Sequence, residues 1–184
     1  MVTPTLRPAT PADAPALARV QVTSYRTAYA PPKTDGHRPP GFWDGVTEEE
    51  QTADWLAWPQ EHPDDVLLAA EVGGHVVGYA LARVHPYHGA GGEVVALHVL
   101  PEVRGRGYGA ALLRAAAGAL QDRGVSSVGL STLEGNPVRA WYAALGGREV
   151  ATLRQEFGGW EVREVVYLWP DVRRLLDRLT GPMP

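Results

Sequence analysis

Cysteine is absent from the whole 184-residue chain. That excludes disulfides, thiolate metal ligands and a thiol nucleophile together, and it agrees with a reducing cytoplasm. Long hydrophobic runs are missing too. None approaches the roughly 20 apolar residues of a membrane span, and residues 1–10 lack the apolar core of a signal peptide. The expected setting is a soluble protein of the cytoplasm with no membrane partner. Positive charge is not in excess either. The formal net charge is -4, which argues against a nucleic-acid partner and suits a cationic or amine substrate. There is no internal repeat, low-complexity tract or domain linker. What the chain does have is 45 % hydrophobic residues, enough for a core without staples, over the length of one ordinary domain.

Patterning predicts a first strand at residues 5–7 and a helix opened by Thr10-Pro11-Ala12-Asp13. There Thr10 can cap, Pro11 suits the first helical position and Asp13 meets free backbone amides. This helix is expected to reach about Tyr29. Residues 31–45 read as loop. Thr47-Glu48-Glu49-Glu50 starts a second helix, expected to stop before Pro59. Residues 66–72 and 75–84 form a hairpin turned by Gly73-Gly74. A strand at 93–100 leads through 101–106 into an alanine- and leucine-rich helix that ends near Arg123, stopped by Gly124. A strand at 127–133, a helix at 136–145, strands at 149–157 and 161–168 joined by Gly158-Gly159-Trp160, and a short amphipathic helix at 171–179 complete the chain. The expected fold is a single α/β (α+β) domain with a mixed sheet over residues 1–184, its motif-bearing core at about 66–168.

The informative segment is Arg104-Gly105-Arg106-Gly107-Tyr108-Gly109, set between a strand and a helix. A helix N-terminus offers unpaired amides and the positive end of the dipole, so it holds phosphates. Glycines let the backbone come close to them, and Arg104 and Arg106 add charge. A plain glycine turn with two solvated arginines is the bland alternative. A sharper one is a dinucleotide turn, because Gly105, Gly107 and Ala110 satisfy a loose G-x-G-x-x-A and Glu134 follows the next strand. Against it, Pro101-Glu102-Val103-Arg104 separates the strand from the glycines, and the repeated βαβ halves are missing. No Gly-Lys-Ser/Thr follows, which removes a P-loop.

Arg104-x-x-Gly107-x-Gly109 resembles the R/Q-x-x-G-x-G/A signature of the GNAT superfamily of acyl-CoA N-acyltransferases. The likeness runs upstream through Leu97-His98-Val99-Leu100-Pro101, downstream through Ala111-Leu112-Leu113, and on to Asn136 through Gly146. It implies a splayed central sheet, acetyl-CoA as cosubstrate, no metal and an amine acceptor, either a small molecule or a peptide. It also implies that the strand ending at Val99 parts from the strand at 127–133. The pantetheine arm would lie in that gap on the backbone of Leu97, His98 and Val99. The pyrophosphate would rest on amides from Gly105 to Ala110, Tyr108 and Gly109 included, and Asn136 would touch the cofactor arm. A homodimer through the last strands and residues 171–179 is an analogy of the same kind.

Acyl transfer to an amine needs a neutral nucleophile, a proton for the leaving thiolate and a donor for the oxyanion. In the family's aromatic-Tyr-x-x-x-Gly motif, here Trp141-Tyr142-Ala143-Ala144-Leu145-Gly146, the matching Tyr142 implies the proton donor to sulfur; core packing is the alternative. Asn136 precedes Tyr142 by six residues where the family has seven. Glu93 matches a position where some members carry a catalytic glutamate, against a solvated strand-entry carboxylate. The glutamate that other members carry on the next strand would fall near Ser131 and is absent. Simple alternation puts Glu93, Val95, Leu97 and Val99 on one face and turns His98 away, leaving its backbone rather than its ring to act. His85, Tyr87 and His88 can relay protons or simply occupy a loop; His-x-x-His is too little for a metal site. Tyr25, Tyr29 and His85 are the acceptor-side candidates. Trp43, Trp55 and Trp58 form either an aromatic wall there or part of the core. The rival functions are a non-catalytic acyl-CoA-binding module and a nucleotide-dependent oxidoreductase.

Overall fold

The computed structural model describes residues 3–28, 45–157 and 160–180. Tyr29, Trp43, most of the 31–45 segment and the Gly158-Gly159 turn lie outside the described residues. Seven strands form one sheet: β1 (Thr5–Pro8), β2 (Val66–Val72), β3 (His75–Arg83), β4 (Gly92–Val99), β5 (Val128–Leu133), β6 (Arg148–Phe157) and β7 (Trp160–Trp169). Their order is β1-β2-β3-β4-β5-β7-β6. Only β4 and β5 pair in parallel; every other neighbour is antiparallel.

Helices α1 (Ala14–Ala28) and α2 (Glu48–Glu61) pack together on one face of the sheet. Helices α3 (Tyr108–Asp122) and α5 (Val172–Thr180) pack together on the other, and α4 (Arg139–Ala144) follows β5. The α3 stripe of Leu112, Leu113, Ala116, Ala117 and Leu120 is fully buried, and each leucine contributes about 1.5–3 kcal/mol. A 3-10 turn at Pro11–Asp13, opened where Thr10 and Pro11 place it, runs directly into α1. The Asp13 carboxylate accepts from the Thr10 amide at 2.8 Å and from both terminal nitrogens of Arg7 at 2.8 Å. Those bonds hold its pKa well below the usual carboxylate range.

Two expected boundaries move. Helix α2 continues through Pro59 to Glu61. Proline costs one i→i−4 bond there, but Trp55 anchors the helix by packing on Tyr79, ring centroids 5.0 Å apart, and by donating from Nε1 to Gln21 at 2.9 Å. Helix α4 begins at Arg139, not at Asn136. The Asn136 side chain is turned back to accept from the Val138 amide at 3.1 Å, so residues 136–138 make a turn first.

Candidate active site

Strands β4 and β5 pair only at Gly92–Val128 and Glu93–Gly129 and then diverge. The splay is the one expected from the resemblance. It opens a cavity of about 800 Å³ that passes through the sheet and is lined by residues 94–99 of β4 and 130–133 of β5. On β4 the Leu100 amide donates to the Val77 carbonyl at 2.9 Å. Antiparallel pairs alternate, so the amides and carbonyls of Leu97 and Val99 point into the gap. Those of His98 belong to its ladder pair with Tyr79. The Val99 carbonyl does face outward: Arg104 Nε donates to it at 3.1 Å. This corrects the expectation for His98, whose backbone is used inside the sheet.

On the α3 face the cavity meets the glycine loop. Gly105 and Gly107 have φ of 73° and 82°, a left-handed backbone that favours glycine. Gly107 is the N-cap of α3, so the first amides of that helix have no intrahelical acceptor. Gly105, Gly107, Tyr108, Gly109 and Ala110 all line the cavity, and so do Asn136 and Tyr142. Arg106 is exposed. Asn136 Nδ2 donates to Thr132 Oγ1 at 2.9 Å, which ties the turn to β5. Tyr142 is 5 % exposed, tilted against Tyr167 at 5.5 Å and edge-on to Trp169 at 6.0 Å between ring centroids. Trp169 Nε1 donates to the Leu145 carbonyl at 2.9 Å. A Cβ on Gly147 would lie 2.6 Å from the Trp169 ring, so that glycine is what lets the indole clamp the end of α4. Asn136, in the turn before α4, and Tyr142, within it, both line the same cavity.

The α1 face is built differently. The β3–β4 register slips between Leu81 and Ala82: Ala82 faces Val94, Leu81 faces Ala96, and Val95 is left over. Such a bulge reverses the parity of every later side chain. Glu93, Ala96 and His98 therefore share a face, against the alternation read from the sequence. The His98 ring lies 5.3 Å from Tyr25 and 5.2 Å from Tyr79. Burial, with the Arg104 charge, lowers its pKa to about 4, so it is neutral at pH 7. Burial also raises the Tyr25 phenol. Glu93 is 7 % exposed, is held by Arg83 at 2.8–2.9 Å and does not line the cavity. Its carboxylate is committed to a salt bridge rather than aimed at the gap. His85 is exposed beyond the end of β3, also outside the cavity. Trp55 and Trp58 belong to the core cluster and to its immediate packing.

A family model for the acetyltransferase (GNAT) family matches residues 24–146, more than half of the 184 residues. The chain belongs to the GNAT acetyltransferase family. It is 30 % identical over 175 residues to an uncharacterized N-acetyltransferase, YuaI, of Bacillus subtilis, covering 93 % of this chain and 95 % of that one. It is also similar to a mycothiol acetyltransferase of Pseudarthrobacter chlorophenolicus, 42 % identical over 88 residues. That match covers 46 % of this chain and only 27 % of the relative's length. A Salmonella typhimurium acetyltransferase structure, solved with its cofactor acetyl-CoA, superposes with a TM-score of 0.63 at 19 % identity and 98 % coverage of both chains. At that identity the likeness is one of fold.

One carboxylate of this GNAT chain escaped the sequence reading. Glu164 of β7 lines the cavity on the α1 face, and Ser131 Oγ of β5 donates to its Oε2 at 3.0 Å. Ser131 stands where the resemblance would place a glutamate, and the Glu164 carboxylate reaches its hydroxyl from the neighbouring strand β7. Its only sequence signal is alternation, Val162–Glu164–Val166 on one face of β7. That signal means nothing until the β5–β7 register is known. Among the described residues no three His, Asp or Glu side chains gather as a metal site, and no helix is long and apolar enough to cross a membrane.

Proposed function

We propose that the protein transfers an acetyl group from acetyl-CoA directly to a primary amine. The single observation that carries this is the through-sheet cavity, with a phosphate cradle at one end and a carboxylate at the other. The residues fit the donor. Beyond its own chain neighbours, nothing lies within 4 Å of where a Cβ on Gly105 or Gly107 would sit, so the start of α3 leaves room for phosphate oxygens against its N-terminal amides. The Salmonella protein of the same fold was solved with acetyl-CoA.

When bound, acetyl-CoA supplies an acetyl group activated as a thioester. The amides from Gly105 to Ala110 hold its pyrophosphate. Leu97 and Val99 pair with the pantetheine arm by backbone groups, as an added strand would. Asn136 fixes the turn beside the arm. An outward amide of β4 is the donor for the carbonyl oxygen as charge develops there. Tyr142 gives its phenolic proton to the departing sulfur. With no cysteine in the chain, the acetyl group passes to the amine without a cysteine-bound stage, in a ternary complex. We assign the reaction to the cytoplasm on the same cysteine-free sequence.

The test is intact-protein mass spectrometry after mixing with acetyl-CoA alone, together with a titration of acetyl-CoA. The reading expects binding and no acetyl-protein adduct. A stoichiometric adduct contradicts direct transfer, and absence of binding contradicts the donor.

A further inference from the structure

Resting on that reading, we propose that Glu164 is the group that receives the acceptor's ammonium and takes its proton. We further propose that the acceptor is a compact primary amine with an apolar body and no carboxylate beside the nitrogen. Three observations converge on this. First, Glu164 lines the cavity while Glu93 does not. Ser131 holds Oε2 of Glu164 at 3.0 Å, and among the described residues Oε1 has no hydrogen-bond partner. Second, the surroundings of this carboxylate are apolar. Leu133 and Val162 form a small cluster of their own with Tyr25, Ala28 and Val46. A charged ammonium with a polar body would be poorly matched there; a hydrocarbon or aromatic body buries area against it at about 25 cal/mol per Å². Third, the charges are arranged for a cation. Glu156 is a second carboxylate on the lining, and Arg104, near the glycine loop, is the only Lys or Arg among the described lining residues. A carboxylate on the acceptor would meet two like charges, while the one cation among the described lining residues, Arg104, already donates to the Val99 carbonyl and to Thr27 Oγ1.

The anchoring of Glu164 is itself built. His88 and Gly89 both take positive φ, 46° and 88°, in a tight turn closed by Tyr87 and Ala90, whose amides and carbonyls bond reciprocally at 2.9 Å. That turn lays the Tyr87 ring over Gly129 of β5, where a Cβ would lie 3.1 Å from the ring. The turn thereby packs Tyr87 against β5, two residues before Ser131.

The proton balance is simple. Glu164 accepts one proton from the ammonium nitrogen. The freed lone pair forms the N–C bond to the acetyl carbon as the C–S bond breaks. Tyr142, across the sheet, protonates the sulfur and recovers a proton from the second N–H that the nitrogen sheds. Glu164 then loses its proton to water. Ammonium and thioester become amide, thiol and one released proton.

The experiment follows thiol release from acetyl-CoA with phenethylamine and with phenylalanine, using wild type, Glu164→Gln and Glu164→Asp, with acetyl-CoA affinity measured by calorimetry for each. The expected result is turnover of phenethylamine by wild type, with kcat/KM for phenylalanine at least about 100-fold lower. Glu164→Gln should lose about 100-fold in kcat/KM while acetyl-CoA affinity and Tm stay put, and Glu164→Asp should recover part of the loss. The Gln deficit should narrow as pH rises and free amine becomes abundant, a readout that a purely structural role does not move. Full activity in Glu164→Gln, a preference for phenylalanine, or acetyl-CoA binding without phenethylamine turnover each overturns this proposal alone. Failure of wild type to bind acetyl-CoA overturns the underlying reading, and the proposal with it.

Discussion

The two faces of the sheet reach the same gap by different means. On the α3 face the parts lie close together in the chain. The glycine loop is six consecutive residues, and Asn136 and Tyr142 are six apart. On the α1 face Tyr25, His98, Ser131 and Glu164 come from one helix and three strands spread over most of the chain. The difference teaches that a cofactor common to a family can be held by a local motif. On the proposed reading, the acceptor is met by side chains whose meeting depends on strand register. The same contrast predicts where mutations act: the α3 face should control donor binding and sulfur protonation, and the α1 face should control the amine.

The largest effect is expected at Gly107. Gly107→Val forces a β-branched side chain into φ of 82°, which costs at least about 1–2 kcal/mol with no gain in packing. It also fills the cradle. Acetyl-CoA affinity measured by calorimetry should fall by at least about 100-fold, while Glu164→Gln leaves it alone. Next, Tyr142→Phe should lower kcat by about 100-fold with acetyl-CoA affinity kept. An unchanged kcat would remove Tyr142 from the chemistry and return it to the core beside Tyr167 and Trp169. Ser131→Ala frees Glu164 Oε2 and should raise KM for phenethylamine more than it lowers kcat, by about 10-fold. A larger effect on kcat than on KM would mean that Ser131 moves a proton rather than positions a carboxylate.

The smallest effect is on stability. His98 titrates at about 4 in the folded chain and at roughly 6.5 when unfolded. The unfolded chain therefore binds more protons between those values, so this contribution is present above about pH 6.5 and is lost as pH falls toward 4. Thermal unfolding across that window should show the loss in wild type, and His98→Leu should flatten it. An unaltered acid slope in His98→Leu would place the sensitivity elsewhere.

Much of the fold was legible because patterning and punctuation agree. Gly124 ends α3, Thr47 caps α2 and the Gly73-Gly74 turn joins β2 to β3 where the sequence says. The glycine loop and the start of α3 fall where the sequence puts them for the same reason. The rest was not legible, for physical causes that can be named. The Val95 bulge carries no residue signature, yet it turns Ala96 and His98 onto the face of Glu93. Glu93 looked like a base by position, and only the three-dimensional pairing with Arg83 shows where its charge is spent. Pro59 reads as a stop, but the packing of Trp55 carries α2 past it. Glu164 sits 33 residues from Ser131, and no local rule joins them.

The most direct test of this two-faced site is a crystal structure with bound CoA. The account predicts the pyrophosphate on the amides of residues 105–110, the pantetheine arm between β4 and β5 against Leu97 and Val99, and the sulfur on the Tyr142 side of the gap with Glu164 across the sheet. A pyrophosphate bound away from the start of α3, or a sulfur that lies nearer Glu164 than Tyr142, would contradict it.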